Sequence, residues 1–123
     1  MINAAQIYKR TSLQTASKSD LTLMLYDGGI KFCNIALVAI EKNEVSIANE
    51  NIQKAEKVIL ELKSSLDFKY PVAKDFDLIY DYVYRRLVEA NLKKEKEPLE
   101  EALNQIRDMR DMWIEITKKV KSN

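Results

Sequence analysis

Residues 99–120, LEEALNQIRDMRDMWIEITKKV, decide the fold. Leu99, Ala102, Ile106, Met109, Trp113, Ile116 and Val120 recur in alternating steps of three and four, so an α-helix carries them on one side. Most positions between them are Glu, Asn, Gln, Arg, Asp or Lys, which make a solvated face. Glu100 and Glu101 stand near the start of the helix and Lys118, Lys119 and Lys121 near its end. Both groups complement the helix dipole. An amphipathic helix of this kind buries its stripe against other helices.

Upstream, the same spacing predicts three more. One spans about Val72 to Leu92, with a core line of Val72, Phe76, Ile79, Val83, Leu87 and Ala90 and a neighbouring line of Ala73, Tyr80, Tyr84 and Val88. One spans about Val45 to Leu66, with Val45, Ala48, Ile52, Ala55, Ile59, Leu62 and Leu66 in register and Ile47, Val58 and Leu60 beside them. Asp67–Pro71 and the charged run Lys93–Glu97 are connections, and Pro71 and Pro98 fit first-turn positions, where a missing amide hydrogen goes unused.

The first helix, about Leu21 to Glu41, is different. Leu21, Leu25, Gly28, Phe32, Ile35 and Ala39 form one apolar line, and Leu23, Tyr26, Ile30, Cys33, Leu37 and Ile40 form another. Only a narrow strip of Asp27, Lys31, Asn34 and Glu41 is polar. A bundle helix needs one stripe, so one line is surplus. The expectation is that the first line meets the bundle and the second is left for a partner; failing that, the next apolar surface is on the second helix near Ile47 and Val58. Gly28-Gly29 costs helix propensity, roughly 1 kcal/mol per Gly, and suggests the close approach of another backbone. Ser19 and Asp20 are the expected N-caps. The fold class predicted is all-α: an antiparallel up-down four-helix bundle over residues 19–123, preceded by an N-terminal arm, residues 1–18.

Composition agrees and restricts the chemistry. The chain has 123 residues, 46% apolar and 32% charged, with only two glycines and two prolines, too few turn residues for an all-β domain. Net charge is +1, so no basic excess points to nucleic acid. There is no histidine, which removes His-based catalysis and His-bearing metal sites. The one cysteine, Cys33, excludes an internal disulfide and sits on an apolar line without a basic partner, as a buried thiol does. The start lacks the apolar core of a secretory signal, no run of 18 uncharged apolar residues exists, and a cytoplasmic protein without membrane insertion is expected. Arg85 and Arg86 with Asp81 and Tyr84 offer a small-anion site; the plainer alternative is an i, i+4 ion pair between Asp81 and Arg85. Tyr80 and Tyr84 share a face and suit either a core edge or a partner groove.

Two motifs carry a resemblance. Thr15-Ala16-Ser17 followed by LTLMLYDG at 21–28, and IYDYVYRRLVEAN at 79–91, resemble the first- and third-helix signatures of the flagellar export chaperone family FliS; Leu99-Glu100-Glu101 with Trp113 is similar to its fourth helix. The chain departs from the pattern at Ser17-Lys18-Ser19-Asp20, where the family often has Pro and an acidic residue. It departs again at Asp67–Pro71, where the family has a Gly-Gly-Glu-like connection.

The resemblance implies a bundle that holds the C-terminal segment of flagellin, prevents premature polymerisation and assists its delivery to the flagellar export gate. It also implies an arm that covers part of the binding surface when flagellin is absent, and no catalysis, metal or cofactor. On this reading the partner-binding residues expected are Ile7 and Tyr8 of the arm, Leu23, Tyr26, Ile30, Cys33 and Leu37 of the first helix, and Tyr80, Tyr84 and Leu87 of the third. Two other readings compete: a helical enzyme using Arg85 or Arg86 on an anionic substrate, and a bundle that self-associates, through its arm or its surplus apolar face.

Overall fold

A computed structural model describes the backbone of residues 18–122 and the side chains of residues 18–118. Four helices follow one another: α1 (Lys18–Glu41), α2 (Val45–Ser64), α3 (Val72–Lys93) and α4 (Lys96–Ser122). Each packs on two others, in a ring from α1 through α2, α3 and α4 back to α1. The short links make sequence neighbours antiparallel. Polar contacts between helix ends follow the same pattern: Lys96 Nζ meets Glu41 at 2.8 Å, joining the start of α4 to the end of α1, and Asn91 Nδ2 donates to Asn49 Oδ1 at 2.9 Å, joining the end of α3 to the start of α2. The expected up-down bundle is therefore the observed fold.

The helix ends differ in detail from the expectation. α1 begins at Lys18, so Ser19 and Asp20 lie within its first turn instead of capping it, where the carboxylate of Asp20 suits the positive end of the dipole. α4 begins two residues before Pro98, which still falls among the amides that need no intrahelical partner. Two links turn through left-handed residues. Asn43 (φ 58°) closes α1 with Glu44 N–H donating to Ala39 O at 2.8 Å and Asn43 N–H to Ile40 O at 3.1 Å. This is the paired bond pattern of a Schellman motif, and Asn tolerates the conformation. Lys94 (φ 53°) closes α3, and its ammonium bonds back to Asn91.

The core draws on all four helices. α2 contributes Ile52, Ala55, Ile59 and Leu62, α3 contributes Phe76, Tyr80, Val83 and Leu87, and α4 contributes Leu99, Ala102, Ile106 and Met109. These are largely the stripes read from spacing; Val45 and Val72, at helix starts with fewer neighbours, are exposed, as is Ile116 near the end of α4. Neither of the two predicted lines of α1 is its core line. The buried residues are Tyr26, Gly29, Cys33, Ala36 and Ala39, a face that runs between the two lines. Its members after Tyr26 are small, which lets the helix sit close and leaves the bulkier Leu25, Ile30, Phe32 and Leu37 to pack along the flanks. The expected backbone contact at the glycines is absent. A Cβ on Gly29 would meet side chains, Val58 at 3.4 Å and Ile106 at 3.6 Å, and one on Gly28 would meet only Phe32 at 4.0 Å. By length and composition α1 is apolar enough to cross a membrane, a test that the core helix of a bundle also passes.

Candidate functional site

The bundle encloses four of the residues expected to bind a partner. Tyr26, Cys33, Tyr80 and Leu87 have almost no exposed surface. Tyr26 stands eight residues after the start of α1 and Tyr80 eight after the start of α3, so the parallel diagonal helices bring their rings to one level. Their hydroxyls hydrogen-bond to each other at 2.6 Å across the core. Burial pushes both phenol pKa values up, and for Tyr26 the neighbouring Tyr80 adds to the effect. Burial likewise pushes the Cys33 thiol up to about 12, against a weaker downward pull from Arg107. A thiol so protonated is a core group and not a nucleophile. Two rings, a thiol and the Leu87 side chain that complete the core in this way offer a partner no atoms while the bundle is closed. Leu23, Ile30, Leu37 and Tyr84 are partly buried, and the last three pack against the core. Ile7 and Tyr8 lie outside the described residues.

The surplus apolar surface of α1 lies elsewhere. Ile35 (37% exposed) and Val38 (48%) stand on its outer side, and the turn at Asn43 brings Ile47 (41%) of α2 beside them. With Asn34, Ala39 and Glu44 they line an open groove of about 360 Å³. This is the second-helix surface near Ile47 expected in default of the α1 line, whereas Val58 is packed inward against the core. A second groove, about 540 Å³, runs between α3 and α4 and is lined by Val72, Phe76, Met112 and Ile116 with Asp108, Asp111 and Glu115. In a ring of four antiparallel helices these two grooves lie on opposite faces and at opposite ends of the bundle.

The arginines form no anion pocket. Arg86 is held by Glu89 through Nη1, and its Nε lies 2.9 Å from Glu101 Oε2, an ion pair that lacks hydrogen-bond geometry. Tyr82 donates to the same Glu101 oxygen at 2.9 Å. The alternative Asp81–Arg85 pair is not formed either. Lys63 reaches from α2 to bind Asp81 at 2.6 Å and Asp77 at 2.8 Å, and Arg85 points to solvent. Among the described residues no group of three or more His, Cys, Asp or Glu side chains is placed to hold a metal ion.

The family described as "Flagellar protein FliS" matches residues 1–120. The "Flagellar secretion chaperone FliS" of Bacillus subtilis is 40% identical over 111 residues, covering 90% of this chain and 84% of that protein. The protein of the same name from Salmonella typhimurium is 30% identical over 118 residues, covering 94% and 87%. That from Vibrio cholerae is 27% identical over 122 residues, covering 94% and 90%.

Proposed function

The chain belongs to the FliS family of flagellar secretion chaperones, which are not enzymes, and from that premise we propose that it binds the C-terminal segment of flagellin in the cytoplasm, keeps it from polymerising and assists its passage to the export gate. The observation that carries this reading is the apolar groove of Ile35, Val38 and Ile47, surface for which the bundle itself has no use. An amphipathic segment laid into such a groove is a recurrent mode of recognition, and a disordered tail orders as it binds. Ile7 and Tyr8 of the arm compete for part of this surface, so the competent state is only partly populated and the apparent affinity is reduced by that fraction.

Calorimetry with a purified flagellin C-terminal segment tests the proposal. One-to-one binding is expected. Val38→Asp is expected to weaken it by about 1–3 kcal/mol, the range for a good contact residue, with the melting temperature nearly unchanged. Ile30→Glu, which places a charge against the core, is expected instead to lower stability. Deleting residues 1–10 is expected to raise affinity or speed association. An absence of both heat and co-elution at tens of micromolar overturns the reading. Molar mass by light scattering, with and without the segment, separates it from self-association.

A further inference from the structure

We propose that the groove between α3 and α4 is a second docking surface, distinct from the one on α1 and α2, and that it takes a cationic amphipathic helix from another protein. Its floor is two apolar rows at helical spacing, Val72 with Phe76 on α3 and Met112 with Ile116 on α4. Such a floor fits the apolar stripe of an incoming helix. Met112 adds a flexible, polarizable side chain that adapts to the shape it meets.

The charged residues that line this floor are of one sign. Among the described residues Asp108, Asp111 and Glu115 are its charged lining residues, in a chain whose net charge is +1, so the acidity is local and not a matter of composition. Arg110 draws on Asp111, with Nη2 at 3.3 Å, and lies 3.7 Å from Asp27. Among the described residues Asp108 and Glu115 enter no ion pair. These carboxylates succeed one another along α4 over about 10 Å, at a rise of roughly 1.5 Å per residue. Lysines or arginines at steps of three and four on a partner helix match that spacing. Complementary charge of this kind steers the encounter and fixes its register. The groove on α1 and α2 differs, with Glu44 as its one charged lining residue among the described residues.

The arm of the same chain is a poorer occupant. It carries Lys9, Arg10 and Lys18 and no acidic residue, but its four bulkiest apolar residues, Ile2, Ile7, Tyr8 and Leu13, do not share one helical face.

The test uses the full chain and a labelled 18-residue peptide with leucines on one helical face and lysines flanking them, beside a counterpart with glutamate for lysine. Fluorescence anisotropy is expected to show the lysine peptide binding at least about tenfold tighter, a difference of about 1.4 kcal/mol, with affinity falling as salt rises. The double variant Asp108→Lys with Glu115→Lys is expected to lose about tenfold or more while its melting curve is unchanged. Ile47→Asp, in the other groove, is expected to leave the affinity for the lysine peptide unchanged. The proposal is overturned if the two peptides bind alike, if the double charge reversal has no effect, or if Ile47→Asp weakens binding as much. It is also overturned if deletion of residues 1–10 raises the peptide's affinity about tenfold, which makes the groove the arm's own, or if a bound flagellin segment displaces the peptide. Failure of the flagellin segment to bind leaves the peptide result standing, so the two proposals fail separately.

Discussion

α4 and α1 lie side by side, yet one announces its buried face and the other conceals it. On α4 the polar residues mark the outside by contrast, and Leu99, Ala102, Ile106 and Met109 are all buried as their spacing requires. On α1 apolar residues occupy almost every direction, and periodicity alone gives two lines of equal merit. The structure buries neither as a whole. It buries the face with small side chains, Gly29, Cys33, Ala36 and Ala39, together with one large ring, Tyr26. Where hydrophobicity does not discriminate, the size of the side chain decides which face comes closest, because interiors are packed to the density of organic crystals.

The comparison is sharpest in the core. Ile106→Ala on α4 removes a fully buried side chain that also touches the space beside Gly29, and is expected to cost about 2–5 kcal/mol in chemical denaturation. Ile35→Ala on α1, on a line first expected to be core, is expected to cost less than about 1 kcal/mol. Similar losses at both sites would mean that the outer side of α1 is more closely packed than its exposure implies.

Tyr26→Phe comes next. It leaves the Tyr80 hydroxyl buried without its partner, at an expected cost of about 1–3 kcal/mol. The double variant Tyr26→Phe with Tyr80→Phe is expected to recover most of that loss, since neither hydroxyl then remains to be satisfied. A double variant less stable than either single one would show that the pair contributes more than it costs to bury.

Alkaline pH separates the two helices by chemistry. The Cys33 thiol has a folded value of about 12, above its unfolded value of about 8.5. Its contribution is therefore fully present below about pH 8.5 and is lost as pH rises through the folded value, because the unfolded chain releases the proton first. By pH 10 the expected loss is roughly 1–2 kcal/mol, since each pH unit between the two values is worth somewhat over 1 kcal/mol. Above pH 10 Tyr26 and Tyr80 add losses of the same sign. Denaturant midpoints measured from pH 7 to 10 are expected to fall for the natural chain and to stay flatter for Cys33→Ala. The smallest effect is a gain: Gly28→Ala meets only Phe32 at 4.0 Å and is expected to raise stability by about 0.5–1 kcal/mol through helix propensity.

The four helices, their order and the stripes of α2, α3 and α4 were legible in the sequence, because each has a polar face against which its apolar residues stand out. The ion pairs were not. Asp81 was four residues from Arg85 in one helix, but Lys63 of α2 reaches it across the interface, a contact that only tertiary structure brings about. The grooves were legible only in part. Ile47 was singled out beside the α2 stripe, but its pairing with Ile35 and Val38 depends on the left-handed turn at Asn43 that folds α2 back on α1. Ile116 read as a member of the α4 stripe and Met112 was not singled out, and nothing in the spacing showed that Val72 and Phe76 would leave them uncovered.

Trp113 is the one tryptophan of the chain, and its indole Nε1–H donates to the carbonyl of Ser19 at 3.1 Å, in the first turn of α1. The chain thus carries a single indole fluorophore, and it is anchored at the first turn of α1. Its emission comes from one environment, with no second indole to dilute it. Fraying of the first turn of α1 would break this bond and wet the ring, shifting the emission to longer wavelength before the far end of the bundle responds. Unlabelled protein therefore offers an optical readout of events at that end alone, in stopped-flow mixing as readily as at equilibrium.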